Sequence, residues 1–381
     1  MKIGIITFHF VSNYGAVLQC YALQEYLKGH GYNVEVINYR PSYHTVRYSG
    51  YKNPFLVARE NWIRNKDAKI IRRIYIYARG FIRGFLLSVK QTDRIKYNLF
   101  NEFINKYLQQ TRIYRSLRAL KNDPPKDEIY IAGSDQLWNP DFTDFGFDRA
   151  YFLDFGPPTT KRLSYAVSLK ENYTEKEMEQ LLFLTEKLNA ISIRERNNTF
   201  ENNSEQTISI CIDPTLLLNE EDYSQLEKSR LISEPYVFVY GLQDSKDLNC
   251  ATEIISKSKK LKIINGTPHR TKIPSKCECV YNYGPEEFLA YIKYADFVIT
   301  NSFHGTAFSI IYKRQFIVIP HTHRGKRMKE LLGKLNLSRR IWDEEEGKWD
   351  ENIDYRAVFD ELEKLRVSAK EYFENNLLLF K

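Results

Sequence analysis

The residues best suited to chemistry lie in Thr300-Asn-Ser-Phe-His-Gly-Thr306, between an apolar run and a helical pattern. That spacing places His304 at the N-terminus of a helix, where backbone N–H groups and the helix dipole favour an anion. A histidine there can pass a proton near neutral pH. Gly305 permits close backbone approach. A second group follows in Pro320-His-Thr-His-Arg-Gly-Lys-Arg327. Its His323, Arg324 and Arg327 are expected at the carboxyl end of a strand, as a clamp for phosphate or carboxylate, with arginine as the bidentate donor. H-x-H also suits a metal, but no carboxylate or third histidine stands nearby at ligand spacing, so no metal site is expected.

Three further sets sit earlier in the chain. Asn13 and Tyr14 belong to a polar loop between a first strand and a first helix. No G-x-G-x-x-G accompanies them, so dinucleotide binding is not supported. Gly133-Ser-Asp-Gln-Leu-Trp-Asn139 supplies a carboxylate (Asp135), an amide and an aromatic face (Trp138), a combination that suits a sugar. Trp138 as ordinary core packing fits the same pattern. Arg194-Glu195 ends a short apolar run, either facing a cleft or lying on the surface.

The elements that must position these residues alternate between strand and helix. Apolar runs near 2–8, 33–39, 128–132, 161–167, 190–195 and 208–215 read as strands, and residues 174–189 as a helix. A second series starts at 236–240 and continues through strands 261–264, 296–300 and 315–319. Its helices are expected near 246–259, 285–294, 306–313 and 327–335, with a last one from 355 to about 378. Alternation of this kind predicts parallel sheets covered by helices. The fold class expected is α/β, two Rossmann-like doubly wound domains with a cleft between them. The first is placed at 1–225, with a helical insertion at about 43–121. The second is placed at 235–381, with a terminal helix packing back on the first.

Composition narrows the class. A hydrophobic share of 43% with 27% charged residues is that of an ordinary soluble globular protein. No apolar run approaches the ~20 residues that span a bilayer. The opening residues read as a strand, without the small-residue cleavage pattern of a signal peptide. Five cysteines without paired zinc spacing suit reduced thiols, so a cytoplasmic setting is expected. Charge is uneven. Residues 43–121 hold 18 Lys/Arg against 4 Asp/Glu, a net +14 that leaves the rest of the chain at −6. Such a block points to an anionic partner. No nucleic-acid module accompanies it, so nucleic acid is not expected. Apolar residues at helical spacing among the arginines suit either peripheral contact with an anionic membrane surface or packing on the first domain with the arginines facing water.

Six pieces in order resemble the polysaccharide pyruvyl transferase family: Asn13-Tyr-Gly-Ala-Val-Leu-Gln19, Gly133-Ser-Asp-Gln-Leu-Trp-Asn139, Ser192-Ile-Arg-Glu195, Asp213-Pro-Thr-Leu-Leu217, Thr300-Asn-Ser-Phe-His-Gly305 and Arg324-Gly-Lys-Arg327. The resemblance implies a GT-B-like pair of domains. It also implies transfer of a pyruvyl group from phosphoenolpyruvate to two hydroxyls of one sugar, forming a cyclic ketal on a capsule, exopolysaccharide or cell-wall glycan. The acceptor is expected to be a glycan, often lipid-linked, and no cofactor is implied. His304 and Arg194 are the implied catalytic pair. Ser302, Gly305, Thr306, His323, Arg324 and Arg327 form the implied donor set, and Asn13, Tyr14, Asp135 and Trp138 the acceptor set. One departure stands out: many members read S-x-R-[LF]-H-G, and the family arginine is Ser302 here. Arg194, Arg324 and Arg327 are the cations available to replace it. Two other readings stay open, a GT-B glycosyltransferase using a nucleotide sugar and a non-catalytic glycan- or lipid-binding protein of the same fold.

Overall fold

The computed structural model describes residues 1–41, 43, 54–65, 68–88, 91–143, 146–243, 245–267, 277–320, 325–343 and 348–377. His323 and Arg324 lie outside the described residues, as do residues 44–53 of the expected insertion. The chain forms two compact units, one of residues 1–193 and 197–208, the other of residues 194–196 and 209–381. The boundary therefore falls earlier than the polar stretch 219–235 suggests. Residues 209–225, expected in the first unit, belong to the second.

The first unit opens with β1 (Lys2–Ile6), α1 (Tyr14–Gly29) and β2 (Asn33–Val36). The insertion then contributes α2 (Pro54–Arg64), α3 (Ile70–Ser88), α4 (Gln91–Tyr107) and α5 (Leu117–Asn122). Next come β3 (Ile129–Asp135), β4 (Lys161–Val167), α6 (Glu175–Thr185), β5 (Ile191–Ile193), α7 (Asn198–Asn203) and β6 (Ile208–Ile210). The sheet order is β2-β1-β3-β4-β5-β6, parallel from β2 through β5. From β1 the chain first builds outward to β2, then returns to add β3 on the other side. The switch point of this doubly wound sheet thus lies between β1 and β3.

The described part of the insertion is largely helical, as its pattern predicts, but it is not one block. Helix α4 buries Phe100, Phe103 and Ile104, with Tyr21 edge-on to Phe103 and Tyr107. The chain after it runs beside β2, where Val36 pairs with Gln110 and Tyr39 with Tyr114. Its second half is therefore part of the first domain's core and sheet edge. Helices α2 and α3 pack on each other.

The second unit contains β7 (Tyr236–Tyr240), α8 (Lys246–Lys259), β8 (Lys262–Asn265), β9 (Cys277–Cys279), α9 (Pro285–Lys293), β10 (Phe297–Thr300), α10 (Phe303–Ile311), β11 (Phe316–Val318), α11 (Lys326–Lys334) and α12 (Tyr355–Asn376). Its parallel sheet has the order β11-β10-β7-β8-β9, with a switch point between β7 and β10. Val237, Val239, Ile299 and Ile317 on the strands pack against Leu248, Ala251 and Ile255 of α8. Continuous apolar strands of this kind are what a sheet covered on both faces requires. The terminal helix α12 stays with this unit. Its Arg366 donates to the carbonyls of Leu216 and Leu218 and to Asn219 Oδ1, clamping the turn that begins at Asp213.

Candidate functional site

At the second switch point, the loops leaving β7 and β10 are tied together by Asn301. Its Oδ1 accepts from Leu242 N–H at 2.6 Å and its Nδ2 donates to Gln243 O at 2.7 Å. Thr300 Oγ1 donates to Tyr240 O at 2.7 Å and accepts from Ser302 N–H at 3.0 Å. Helix α10 then starts at Phe303, three residues before the start expected at Thr306. A serine in extended conformation is a favoured cap, and Ser302 accepts from Gly305 N–H at 3.4 Å. His304 is consequently the second residue of the helix, at its positive end.

This capping corrects three donor-site expectations. Ser302 is buried and its hydroxyl serves the helix. Thr306 is fully buried, with its Oγ1 bonded to Ser302 O at 3.1 Å and against Met328 Sδ at 3.2 Å, which joins α10 to α11. Gly305 does need its missing side chain, but for a neighbour within the fold: a Cβ there would stand 2.5 Å from Thr300 Oγ1.

The charged centre of the unit forms around Asp213. Asp213-Pro-Thr begins a short 3₁₀ turn, Pro214–Leu217, and the aspartate caps it. Oδ1 accepts from Thr215 N–H at 2.9 Å and Thr215 Oγ1 at 2.7 Å. Oδ2 faces Arg194 Nη2 at 2.7 Å and His304 Nε2 at 3.5 Å. Both Arg194 and Asp213 side chains are almost completely buried, at 3% and 0% exposure, and His304 retains 13%. Burial alone would raise the Asp213 carboxyl, but the Arg194 guanidinium and then His304 outweigh it and hold it well below the usual carboxylate range. The Arg194 guanidinium also lies 5.2 Å from the Phe303 ring.

A recess opens beside this cluster, lined by Arg194, Glu195, Asp213, Phe303, Arg327, Glu330 and Lys334. Two sequence-selected cations, Arg194 and Arg327, thus share a wall with Asp213 and with Phe303, the residue before His304. Arg194 belongs to the second unit although it directly follows β5, so the short segment 194–196 delivers it there. The chemistry available is proton transfer at a histidine positioned by a buried carboxylate, with arginines for an anion. Asp213 and Lys334 were not selected from the sequence. Asp-Pro-Thr carries a capping signal for Asp213, but nothing local says that its second oxygen meets an arginine 19 positions earlier and a histidine 91 positions later.

The acceptor-side residues fall in the first unit and separate into two kinds. Asn13 is exposed and caps α1 through Ala16 N–H at 3.3 Å, and Asp135 is half-buried at the end of β3 with φ +81°. Tyr14 and Trp138 are buried, which corrects their expected exposure to a sugar. Tyr14 packs on Phe100 at 5.0 Å. Trp138 is 0% exposed, stacks on Phe152 at 5.2 Å, and donates its indole N–H to Tyr151 O at 3.0 Å. No face of that ring is open to a ligand.

No helix among the described residues is long and apolar enough to cross a membrane. Among solved structures, the chain is similar to an S. aureus MnaA–UDP co-structure, with 8% identity, TM-score 0.48, and coverage of 100% of this chain and 89% of that one. It is also similar to UDP-GlcNAc 2-epimerase from Methanocaldococcus jannaschii (11% identity, TM-score 0.46, 95% and 92% covered). A third is the glycosyltransferase SnogD from Streptomyces nogalater (12% identity, TM-score 0.39, 97% and 95% covered). No curated protein matches the chain in sequence. The sequence model described as polysaccharide pyruvyl transferase matches residues 13–323. That span contains β3, the Asp213 turn and the His304 helix start, so the chain belongs to the polysaccharide pyruvyl transferase family.

Proposed function

We propose that the protein transfers a pyruvyl group from phosphoenolpyruvate to two hydroxyls of one sugar in a surface polysaccharide or its lipid-linked precursor. The observation that carries this reading is the buried Arg194–Asp213–His304 cluster beside Arg327, in a chain of a pyruvyl transferase family. His304 is the acid/base and Asp213 its positioning residue. With Nε2 turned to the carboxylate, the favoured neutral tautomer carries its proton there and leaves Nδ1 to exchange one with substrate. Arg327 and Arg194 face the donor's carboxylate and phosphate.

The chemistry balances without an added redox partner. A proton adds to the methylene carbon of phosphoenolpyruvate, making it a methyl group, and a first sugar hydroxyl bonds to C2 and loses its proton to base. The C2–O bond to phosphate then breaks, the second hydroxyl bonds to C2 to close the ring, and its proton passes to the departing inorganic phosphate. Asn13, at the start of α1, and Asp135, at the end of β3, are the polar groups assigned to the acceptor. Reaction on the cytoplasmic side follows from the donor, a soluble metabolite.

The test is incubation of the purified chain with phosphoenolpyruvate and candidate lipid-linked or free sugars. Phosphate release with a matching mass gain on the glycan is expected. Turnover of a nucleotide sugar, with phosphoenolpyruvate left intact, would overturn the reading.

A further inference from the structure

Helix α3 leaves an apolar face uncovered that the proposed chemistry does not use. Its back packs on α2: a Cβ at Gly84 would lie 2.8 Å from Pro54 Cα, and Gly80 sits against Ala58 and Asn61. Arg73 belongs to that packed side, with its guanidinium 4.0 Å from the Trp62 ring. On the opposite side Ile71, Ile74, Tyr75, Ile82 and Phe85 are 79%, 58%, 63%, 60% and 59% exposed. At 3.6 residues per turn these five, with exposed Ala78, span an arc of about 100° without a polar residue. Exposed Arg72, Arg79 and Arg83 line one edge of that arc. The helix has no acidic residue.

We infer that α3 is an interfacial helix that docks the protein on an anionic bilayer surface. An apolar arc bordered by a row of arginines matches acyl chains beside anionic headgroups. With four arginines in 19 residues, the helix suits lying in the interface and not spanning it. Charge selects this occupant over a second copy of the chain, because a second copy would bring the same uncompensated cations to the same face. The partner surface is thereby confined to α2–α3, since the other half of the basic insertion is built into the first domain.

The test is flotation of the intact protein with vesicles of phosphatidylcholine alone or phosphatidylcholine with phosphatidylglycerol. Binding to the anionic vesicles at low salt, weakening as salt screens the charges, is expected. Reversing Arg72, Arg79 and Arg83 to glutamate should weaken binding by about a hundredfold or more. Ile71→Ser with Ile82→Ser and Phe85→Ser should abolish it. All six positions are exposed, so both variants should keep the wild-type melting temperature. Failure of the wild type to float with anionic vesicles at low salt would overturn the inference. So would equal binding to neutral vesicles, or a soluble dimer that the serine variant dissociates.

Discussion

The two switch points of the molecule are built alike and finished differently. In both sheets a hydroxyl and an amide side chain tie the carboxyl end of the first strand to that of the strand across the switch. In the first unit this tie closes into neutral hydrogen bonds. Thr7 Oγ1 donates to Ser134 O at 2.9 Å, and Gln19 Nε2 donates to Thr7 Oγ1 at 2.9 Å while its Oε1 accepts from Ser134 N–H at 3.0 Å. In the second unit the neighbouring residues hold a buried ion pair, Arg194 with Asp213, and His304 faces the same carboxylate oxygen. Buried neutral groups fix a loop at little risk, whereas buried charges impose a desolvation cost that only good pairing offsets. The costly arrangement is therefore the better candidate for chemistry.

The largest effect should come from breaking that pair. Asp213→Leu removes the carboxylate paired with the buried Arg194 guanidinium and should cost about 3–5 kcal/mol of stability, read as a lower urea midpoint. A cost below 1 kcal/mol would mean that the Arg194–Asp213 pair contributes little to the fold. Next, His304→Ala should keep the wild-type melting curve and lose about 10²-fold or more in turnover, the scale for a general acid or base. Near wild-type turnover would move the proton-transfer role away from the ionic switch point.

The neutral switch point has its own signature in pH. His9 lies 3.1 Å from both Thr7 O and Asn38 Oδ1. Burial, aided by Arg40, pushes it down from 6.5 to about 4. Between those values the unfolded chain binds the extra proton, so stability falls as pH drops from 6.5 toward 4 and is fully present above 6.5. The loss from this group is at most about 3 kcal/mol. His9→Gln should flatten that part of the profile in urea titrations at pH 7, 5 and 4. An unchanged slope would show that His9 is protonated in the fold.

Smaller effects sharpen the contrast. Arg327→Ala should raise the Michaelis constant for phosphoenolpyruvate by the equivalent of about 1.5–3 kcal/mol, the range for one charge-assisted hydrogen bond. An unchanged constant would place the donor away from the recess. Trp138→Phe removes the indole bond to Tyr151 and should lower stability by about 1–3 kcal/mol. Turnover of the folded variant should not change, because the ring is sealed in the core. A raised acceptor constant would reopen Trp138 as a binding residue.

Much of this was legible in the sequence because it is local. Alternating apolar runs and helical spacing placed all five strands of the second sheet except β9, whose three residues pair at an edge and carry little apolar signal of their own. Strand-to-helix turns marked His304, and the short strand before Arg194 marked that residue too. Spacing could not say which side chains at those turns face inward. Ser302, Gly305 and Thr306 looked like ligand contacts and turned out to hold the helix start, because a cap and a tight strand–helix approach use the same small polar residues as a binding loop. Trp138 looked like a stacking platform for the same reason: an aromatic ring has one composition whether solvent or Phe152 covers it.

The sequence by itself determined the α/β alternation, the helical insertion and the family, each carried by residues close together in the chain. Only the tertiary structure decided that Arg194, Asp213 and His304 meet, because each arrives from a separate element and no periodicity links them. It also decided that the basic insertion divides, with α4 in the core and α3 left uncovered. Both helices are amphipathic in sequence, and what distinguishes them is whether a neighbour is present to bury the apolar face.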